Sequence, residues 1–170
     1  FIVMVVIGLN QGMQPIAGYN FGAKRYDRVI EVLKLALIGG SLITLLGFIV
    51  GTFFSTPIVT LFAKDSPELI AMAAHALECL VMMFPIVGIQ IVSTAFFQSI
   101  GYAGKSIFLS LTRQLIFLVP AILILPHVFS DPLEGLWHAA PVADGLASIL
   151  AITLLTMQVK KFKANTSAMG

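Results

Sequence analysis

The strongest constraint on the fold is a series of five long apolar runs, each close to the ~20 residues that an α-helix needs to cross a lipid bilayer. Because every backbone amide in hydrocarbon must be hydrogen-bonded within its own segment, runs of this length form helices. The predicted spans cover approximately residues 1–22, 35–54, 80–100, 107–125 and 142–159. The chain is 58% hydrophobic and 11% charged, whereas a soluble domain carries about 25% charged residues. The sequence therefore predicts an all-α integral membrane protein, a polytopic helical bundle embedded in the bilayer.

The cations alternate with the predicted spans, and this pattern predicts the orientation. Nine of the ten fall on one side of the membrane, which the positive-inside rule makes cytoplasmic. They are Lys24, Arg25, Arg28, Lys34, Lys105, Arg113, Lys160, Lys161 and Lys163. We expect a cytoplasmic anchoring role for most of them and a short cytoplasmic tail over residues 160–170. Arg113 lies inside the fourth span, where it either snorkels to the headgroups or forms an ion pair with an acid elsewhere. Residues 126–141 are expected to form an outward loop.

Small residues and prolines predict close packing and bending. Three GxxxG pairs allow helix backbones to approach closely: Gly8 with Gly12, Gly18 with Gly22, and Gly47 with Gly51. Pro15, Pro85 and Pro120 each remove one backbone hydrogen bond inside a span. Gly88 follows Pro85 by about one turn, so this pair is either a moving hinge or a static kink. The sequence Ser66-Pro67-Glu68 predicts a helix start outside the membrane, with one helix of more than thirty residues continuing into the third span.

Polar side chains form two stripes at depths where they are costly unless they face protein or water. Gln90, Thr94 and Gln98 follow one another at intervals of four, and the first span carries Asn10, Gln11, Gln14 and Asn20. These stripes either form interhelical hydrogen bonds or line a polar cavity. Gln14, Asn20, Gln90, Thr94 and Gln98 are the candidate cavity residues.

Other functional classes find little support in the sequence. Glu78 and Asp144 are expected near the outer ends of their spans, as solvated groups or end caps, and not as ion sites. His75, His127 and His138 lack metal-ligand spacing, so no metal site is predicted. The sequence contains no Walker A motif and no hydrolase motif, and a net charge of +2 gives no reason to expect nucleic acid. We therefore expect neither an enzyme nor a cofactor.

Three stretches together resemble a known family. "GLNQGMQPIAGYNFGAKRYDRV", "MMFPIVGIQIVSTAFFQSIGYAGKSIFLSLTRQLIFLVPAILILP" and "GLWHAAPVADGLA" resemble the multidrug and toxic compound extrusion (MATE) transporters, in the bacterial branch related to DNA-damage-inducible and staphylococcal multidrug pumps. The resemblance implies two six-helix bundles around a cleft that opens alternately to either side. It places this chain as spans eight to twelve, the C-terminal bundle without its first helix, with a missing N-terminal bundle as its partner.

The resemblance also implies a function. Family members export bulky cationic amphiphiles, drugs or toxins, from the cytoplasmic membrane in exchange for H⁺ or Na⁺. The sodium-coupled branch carries an additional acid about where Ile89 and Gln90 stand here, and this departure leaves the coupling ion open. A lipid-linked oligosaccharide flippase of the same superfamily remains an alternative, which we expect to place cations in the cavity. A membrane enzyme and a structural membrane scaffold are alternatives from other classes.

Overall fold

The structure is a computed structural model and describes residues 1–62 and 66–167. Throughout this part of the chain the regular elements are helical, which confirms the predicted fold class. They are α1 (Ile2–Gly22), α2 (Tyr26–Phe53), α3 (Ser55–Thr60), α4 (Pro67–Val81), α5 (Phe84–Ser99), α6 (Ala103–Leu111), a π-helical segment (Thr112–Leu118), α7 (Val119–Val128) and α8 (Pro132–Ser167).

Three helical stretches of the described residues are long and apolar enough to cross a membrane. They are Tyr26–Phe53, the continuous Ala103–Val128 and Pro132–Thr166, with a fourth if the bent pair α4 and α5 counts as one span. The 21-residue α1 is not among them, because its four amide side chains lower the mean hydropathy. That the chain crosses the bilayer five times thus stays a prediction.

The long helix expected from Ser66 through the third span is wrong, because the chain breaks at Met82 and Met83. The axes of α4 and α5 meet there at 52°. Pro85 lies in the first turn of α5. It lacks an amide hydrogen and its ring crowds the carbonyl four residues earlier, so a regular helix through Val81 is disfavoured. The predicted helix start is confirmed: Ser66 caps α4 by accepting a hydrogen bond from the Leu69 amide at 3.4 Å, and Pro67 is the first helical residue.

The fourth predicted span is longer than expected and changes its helical form. It runs from Ala103 to Val128, and its central Thr112–Leu118 segment is π-helical. The Val119 amide donates to the Gln114 carbonyl, five residues back, and Pro120 follows immediately. A π-turn of this kind bends a helix. The deviation expected at Pro120 therefore takes the form of a π-segment ahead of the proline.

The outward loop predicted over residues 126–141 is also wrong. α7 continues to Val128 and α8 begins at Pro132, so only residues 129–131 connect them. Asp131 starts α8 by accepting a hydrogen bond from the Leu133 amide at 2.9 Å. Gly135 permits the tight junction, since a Cβ there would stand 2.5 Å from the Leu125 carbonyl oxygen. At its other end α8 is helical to Ser167, so the predicted tail is helical over residues 160–167.

An aromatic cluster joins α1, α2, α5 and α8 at one end of the bundle. Tyr26 and Phe162 stack with ring centroids 5.2 Å apart, and Phe21 meets Tyr102 at 5.9 Å. Phe96 and Phe162 are fully buried there. The adjoining helix ends carry Lys24, Arg25, Arg28, Lys160 and Lys161. We call this the basic end. Its cytoplasmic orientation stays a prediction.

The glycines predicted to pack helices fall into two groups. A Cβ at Gly18 would stand 2.9 Å from the Ser99 carbonyl oxygen, at Gly47 2.8 Å from Ile2, and at Gly51 2.8 Å from Val81. In contrast, a Cβ at Gly8, Gly12 or Gly22 would meet no described atom within 4 Å, so packing at these three positions stays a prediction.

A close approach between α2 and α5 involves Gly88. A Cβ on Gly88 would lie 2.6 Å from Thr44 Oγ1 and 2.7 Å from the Gly40 carbonyl oxygen. Gly88 therefore holds α5 tightly against α2, one turn beyond the bend that precedes Pro85.

Candidate functional site

A cavity of about 590 Å³ opens between α1, α5, α8 and the continuous stretch of α6 and the π-helical segment, which we call the α6–π unit. We call it the amide cavity. Its polar walls are Asn10, Gln11, Gln14, Gln90, Thr94, Gln98, Ser110, Arg113, Gln114 and Asp144. Apolar side chains, among them Ile7, Phe84 and Ile91, complete the wall. This mixture of an apolar surface with a few fixed polar groups is typical of small-molecule sites.

The predicted polar stripes meet in this cavity because each follows one helix face. Gln90, Thr94 and Gln98 line it from α5, and Gln14 lines it from α1, since residues four apart lie above one another on a helix. Asn20, the fifth candidate, does not line it. Its side-chain amide donates to the Ile16 carbonyl at 2.8 Å, one turn back on α1.

Two amides are deeply placed in the cavity wall. Gln90 is 6% exposed and Asn10 is 4% exposed. Asn10 Oδ1 has no hydrogen-bond partner among the described residues. A buried acceptor without a partner costs about 1–3 kcal/mol, so it favours any donor that enters. Asn10, which was not among the five candidates, thus gives the cavity a further polar contact.

An ion pair crosses the cavity wall from the α6–π unit to α8. Arg113 Nε donates to Asp144 Oδ1 at 2.5 Å. The Asp144 side chain is 8% exposed and that of Arg113 is 35% exposed. The anchoring role predicted for Arg113 is therefore wrong in its snorkelling form, and the alternative ion pair is present. Asp144, expected as a solvated end group, is instead buried in the cavity wall.

The helix boundaries explain why the partner of Arg113 was not predicted. α6 starts at Ala103 and α8 at Pro132, earlier than the predicted spans. At 1.5 Å per residue, Arg113 and Asp144 lie about 15 Å and about 18 Å inside their helices. Two charges that looked terminal therefore meet at depth. The available signal was the pair itself, one cation and one acid inside neighbouring apolar runs.

Lys105, another predicted anchor, is drawn into the protein at the basic end. Its ammonium donates to Gln158 Oε1 at 2.7 Å. It also lies over the rings of Tyr102 and Phe97, 4.9 and 5.2 Å from their centroids. Cation–π contacts and a hydrogen bond hold this side chain to α8 and α5.

A cluster of potential metal ligands forms at the end opposite the basic end, where no site was predicted. His75 and Cys79 lie one turn apart on α4, and Glu134 reaches them from α8. His75 Nε2 is 2.9 Å from Glu134 Oε1 and 3.8 Å from Cys79 Sγ. One ligand atom from each residue lies within 4.8 Å of the others.

Comparison with known proteins decides the family. The model of the MatE family matches residues 1–124. The chain belongs to the MatE family. Among curated MatE relatives, the multidrug export protein MepA of Staphylococcus haemolyticus (strain JCSC1435) is 21% identical over 155 residues, which are 91% of this chain and 33% of MepA. MepA of Staphylococcus aureus (strain MSSA476) is 22% identical over 167 residues, 98% of this chain and 36% of the relative.

Solved structures show the same MatE fold. The MATE multidrug transporter DinF-BH, solved in complex with a small molecule, superposes with a TM-score of 0.85 at 38% identity, over 92% of this chain and 34% of DinF-BH. An inward-facing MATE transporter of the MOP superfamily gives 0.88 at 19% identity, over 96% of this chain and 38% of that one. The chain spans about a third of the length of these relatives. It is thus a helical membrane protein of the MatE family.

Proposed function

We propose that this chain forms the C-terminal part of a multidrug antiporter in the cytoplasmic membrane. It exports cationic amphiphilic compounds by alternating access in exchange for protons, together with an N-terminal bundle, and it catalyses no covalent chemistry. The observation that carries the proposal is the amide cavity, which combines apolar walls, amides and the buried Arg113–Asp144 pair. DinF-BH was solved with a bound small molecule, which supports a small-molecule site in this fold.

The cavity chemistry suits a bulky organic cation. Apolar side chains such as Phe84 and Ile91 provide surface for aromatic rings, and the amides of Gln90 and Gln98 provide polar groups in the same wall. Amides pair with many donors and acceptors without imposing one geometry. A site of this kind accepts chemically different compounds of similar size.

The ion pair provides a physical reason for exchange. With Asp144 ionised, it neutralises Arg113, so a cationic compound enters a cavity without a net repelling charge from this pair. Without the Asp144 charge, Arg113 remains as an unbalanced cation. Two unit charges ~5 Å apart at an effective dielectric constant of ~20 repel by about 3 kcal/mol. Loss of the Asp144 charge therefore weakens the binding of a cationic compound.

Ethidium efflux from cells that express the complete protein carrying this sequence tests the proposal. Efflux should stop when a protonophore collapses the proton gradient. Asp144→Asn should lower the initial efflux rate at least about tenfold, because a repulsion of about 3 kcal/mol corresponds to roughly a hundredfold in affinity. Glu31→Gln is the matched control, since Glu31 is an exposed carboxylate on α2 that pairs with Arg28 at 3.0 Å.

Two outcomes would contradict the proposal. If efflux persists without a proton gradient and stops without a sodium gradient, proton coupling is wrong. If Asp144→Asn and Glu31→Gln export equally at equal expression, the Asp144 mechanism is wrong.

One observation favours the second candidate, a lipid-linked oligosaccharide flippase. Arg113 places a cation in the cavity wall, and guanidinium groups bind pyrophosphate well. In this structure, however, the Arg113 guanidinium is already paired with the Asp144 carboxylate. A flippase would retain lipid translocation and show no ethidium efflux in the same cells.

A further inference from the structure

We propose that His75, Cys79 and Glu134 bind one Zn²⁺ ion between α4 and α8. The three residues lie at the end of the bundle opposite the basic end, since Glu134 is in the first turn of α8 and the basic end is formed by its last turns. This site is separate from the amide cavity, and none of its three ligands lines that cavity.

Two of the three ligand–ligand distances lie close to those of a tetrahedral zinc centre. Zinc binds thiolate sulfur at about 2.3 Å and imidazole nitrogen or carboxylate oxygen at about 2.0–2.2 Å, so neighbouring ligand atoms are about 3.3–3.8 Å apart. His75 Nε2 and Cys79 Sγ are 3.8 Å apart. His75 Nε2 and Glu134 Oε1 are 2.9 Å apart, as a hydrogen bond requires, and need to separate by only about half an ångström to admit the ion.

The same ring nitrogen of His75 is the atom nearest to both other ligands, and the three donor atoms lie within 4.8 Å of one another. His75 and Cys79 are four residues apart on α4, a spacing that places two ligands on one helix face for a shared metal. Glu134 completes the set from a different helix. A hydrogen bond between His75 and Glu134 alone would not require the Cys79 thiol to lie near them.

The neighbouring groups support the arrangement without competing for it. Glu78, beside Cys79, is engaged elsewhere by accepting a hydrogen bond from Ser55 Oγ at 2.6 Å. His138 Nδ1 lies 2.8 Å from the Glu134 carbonyl oxygen and 3.8 Å from the Glu134 carboxylate. The Trp137 ring meets the His75 ring edge-on at 5.4 Å and fixes its orientation.

The ligand types determine which metal the site prefers, and the exposure of the ligands determines how the ion reaches it. Imidazole, thiolate and carboxylate together favour Zn²⁺ over the oxygen-seeking Mg²⁺ and Ca²⁺. Cys79 is buried, whereas 48% of the His75 side chain is exposed. The ion thus reaches the site from solvent, and water completes the fourth position, as in zinc sites that keep one ligand exchangeable. Bound zinc links α4 to α8 just before the bend between α4 and α5.

Metal binding to the complete purified protein in detergent tests the proposal. Zn²⁺ is measured by equilibrium dialysis, and Co²⁺ serves as a spectroscopic probe of the thiolate. One Zn²⁺ should bind with Cys79 intact, and Co²⁺ should give a thiolate-to-metal charge-transfer band. Cys79→Ser and His75→Gln should each weaken Zn²⁺ binding at least about tenfold. Cys79→Ser should remove the band.

His127→Gln is the matched control, because His127 is an exposed histidine whose Nδ1 lies 2.9 Å from the Leu123 carbonyl oxygen on its own helix. It should bind Zn²⁺ as the unchanged protein does. If a ligand variant fails to fold, the unchanged protein still decides: saturating Zn²⁺ should raise its Tm, and a chelator should reverse the rise. The absence of a cobalt–thiolate band, or unchanged Zn²⁺ affinity in Cys79→Ser and His75→Gln, would overturn the proposal.

Discussion

Replacing Arg113 with glutamine leaves the Asp144 carboxylate in the cavity wall without its cation. The Asp144 side chain is 8% exposed, so it cannot turn to water. Removing one partner of a buried ion pair costs about 3–5 kcal/mol, because the remaining charge is uncompensated. We therefore expect Arg113→Gln to lower the free energy of unfolding by about that amount.

The reverse substitution should cost less. With Asp144→Asn the remaining charge belongs to Arg113, whose side chain is 35% exposed and long enough to turn its guanidinium to water. We expect a loss of about 1–2 kcal/mol, within the range for single substitutions. In the double variant two neutral amides face each other, and its loss should be smaller than the sum of the single losses by at least about 2 kcal/mol.

A double-mutant cycle by equilibrium unfolding in mixed detergent micelles measures this coupling. The exposed pair Arg28 and Glu31, with side chains 68% and 57% exposed, provides the control cycle. Its coupling should not exceed about 0.5 kcal/mol. Equal coupling energies in the two cycles, or additive losses at Arg113 and Asp144, would refute the assignment of a buried pair.

Two further predictions concern packing and the cavity. Gly88→Ala places a Cβ within 2.7 Å of the Gly40 carbonyl oxygen and should destabilise the protein by about 1–3 kcal/mol. Gly104→Ala is the control, because a Cβ there meets no described atom within 4 Å, and it should be neutral or stabilising by up to about 1 kcal/mol. Thermal unfolding in detergent compares the two variants. Gln90→Leu should lower ethidium efflux several-fold at equal expression, because it removes a buried polar group from the cavity wall. Unchanged export of every dye tried would contradict the place of Gln90 in the cavity.

The sequence predicted the cavity wall well where one helix face carries the information. Gln90, Thr94 and Gln98 repeat every four residues, and the structure places all three on the same cavity. Periodicity of this kind is local, so it survives errors in the helix ends. Asn20 failed because its amide is satisfied by its own helix, which residue type and spacing do not reveal.

The charged pair and the zinc cluster depend on information that is not local. Arg113 and Asp144 are separated by 31 residues, and their depth follows from helix ends that sequence patterns place within only a few residues. Glu134 joins His75 only because α7 and α8 connect through residues 129–131 without a long loop. A predicted loop over residues 126–141 would have left this carboxylate free in solvent.

The π-helical segment links two features that the sequence treated as separate, the proline of the fourth span and its arginine. Pro120 cannot donate a backbone hydrogen bond, and the last π-type bond, from Val119 to Gln114, ends directly before it. Within the segment, Arg113 and Gln114 line the cavity, whereas Leu115 and Ile116 are exposed on the outer surface. A π-turn holds an extra residue and shifts the phase of the helix that follows. The local distortion thus lets one helix present a charged face to α8 and an apolar face to the outside of the bundle. A substitution that restores a regular α-helix here, Pro120→Ala, should therefore act on the Arg113–Asp144 pair from a distance. The same double-mutant cycle in the Pro120→Ala background should give a smaller coupling energy, and an unchanged one would contradict this link.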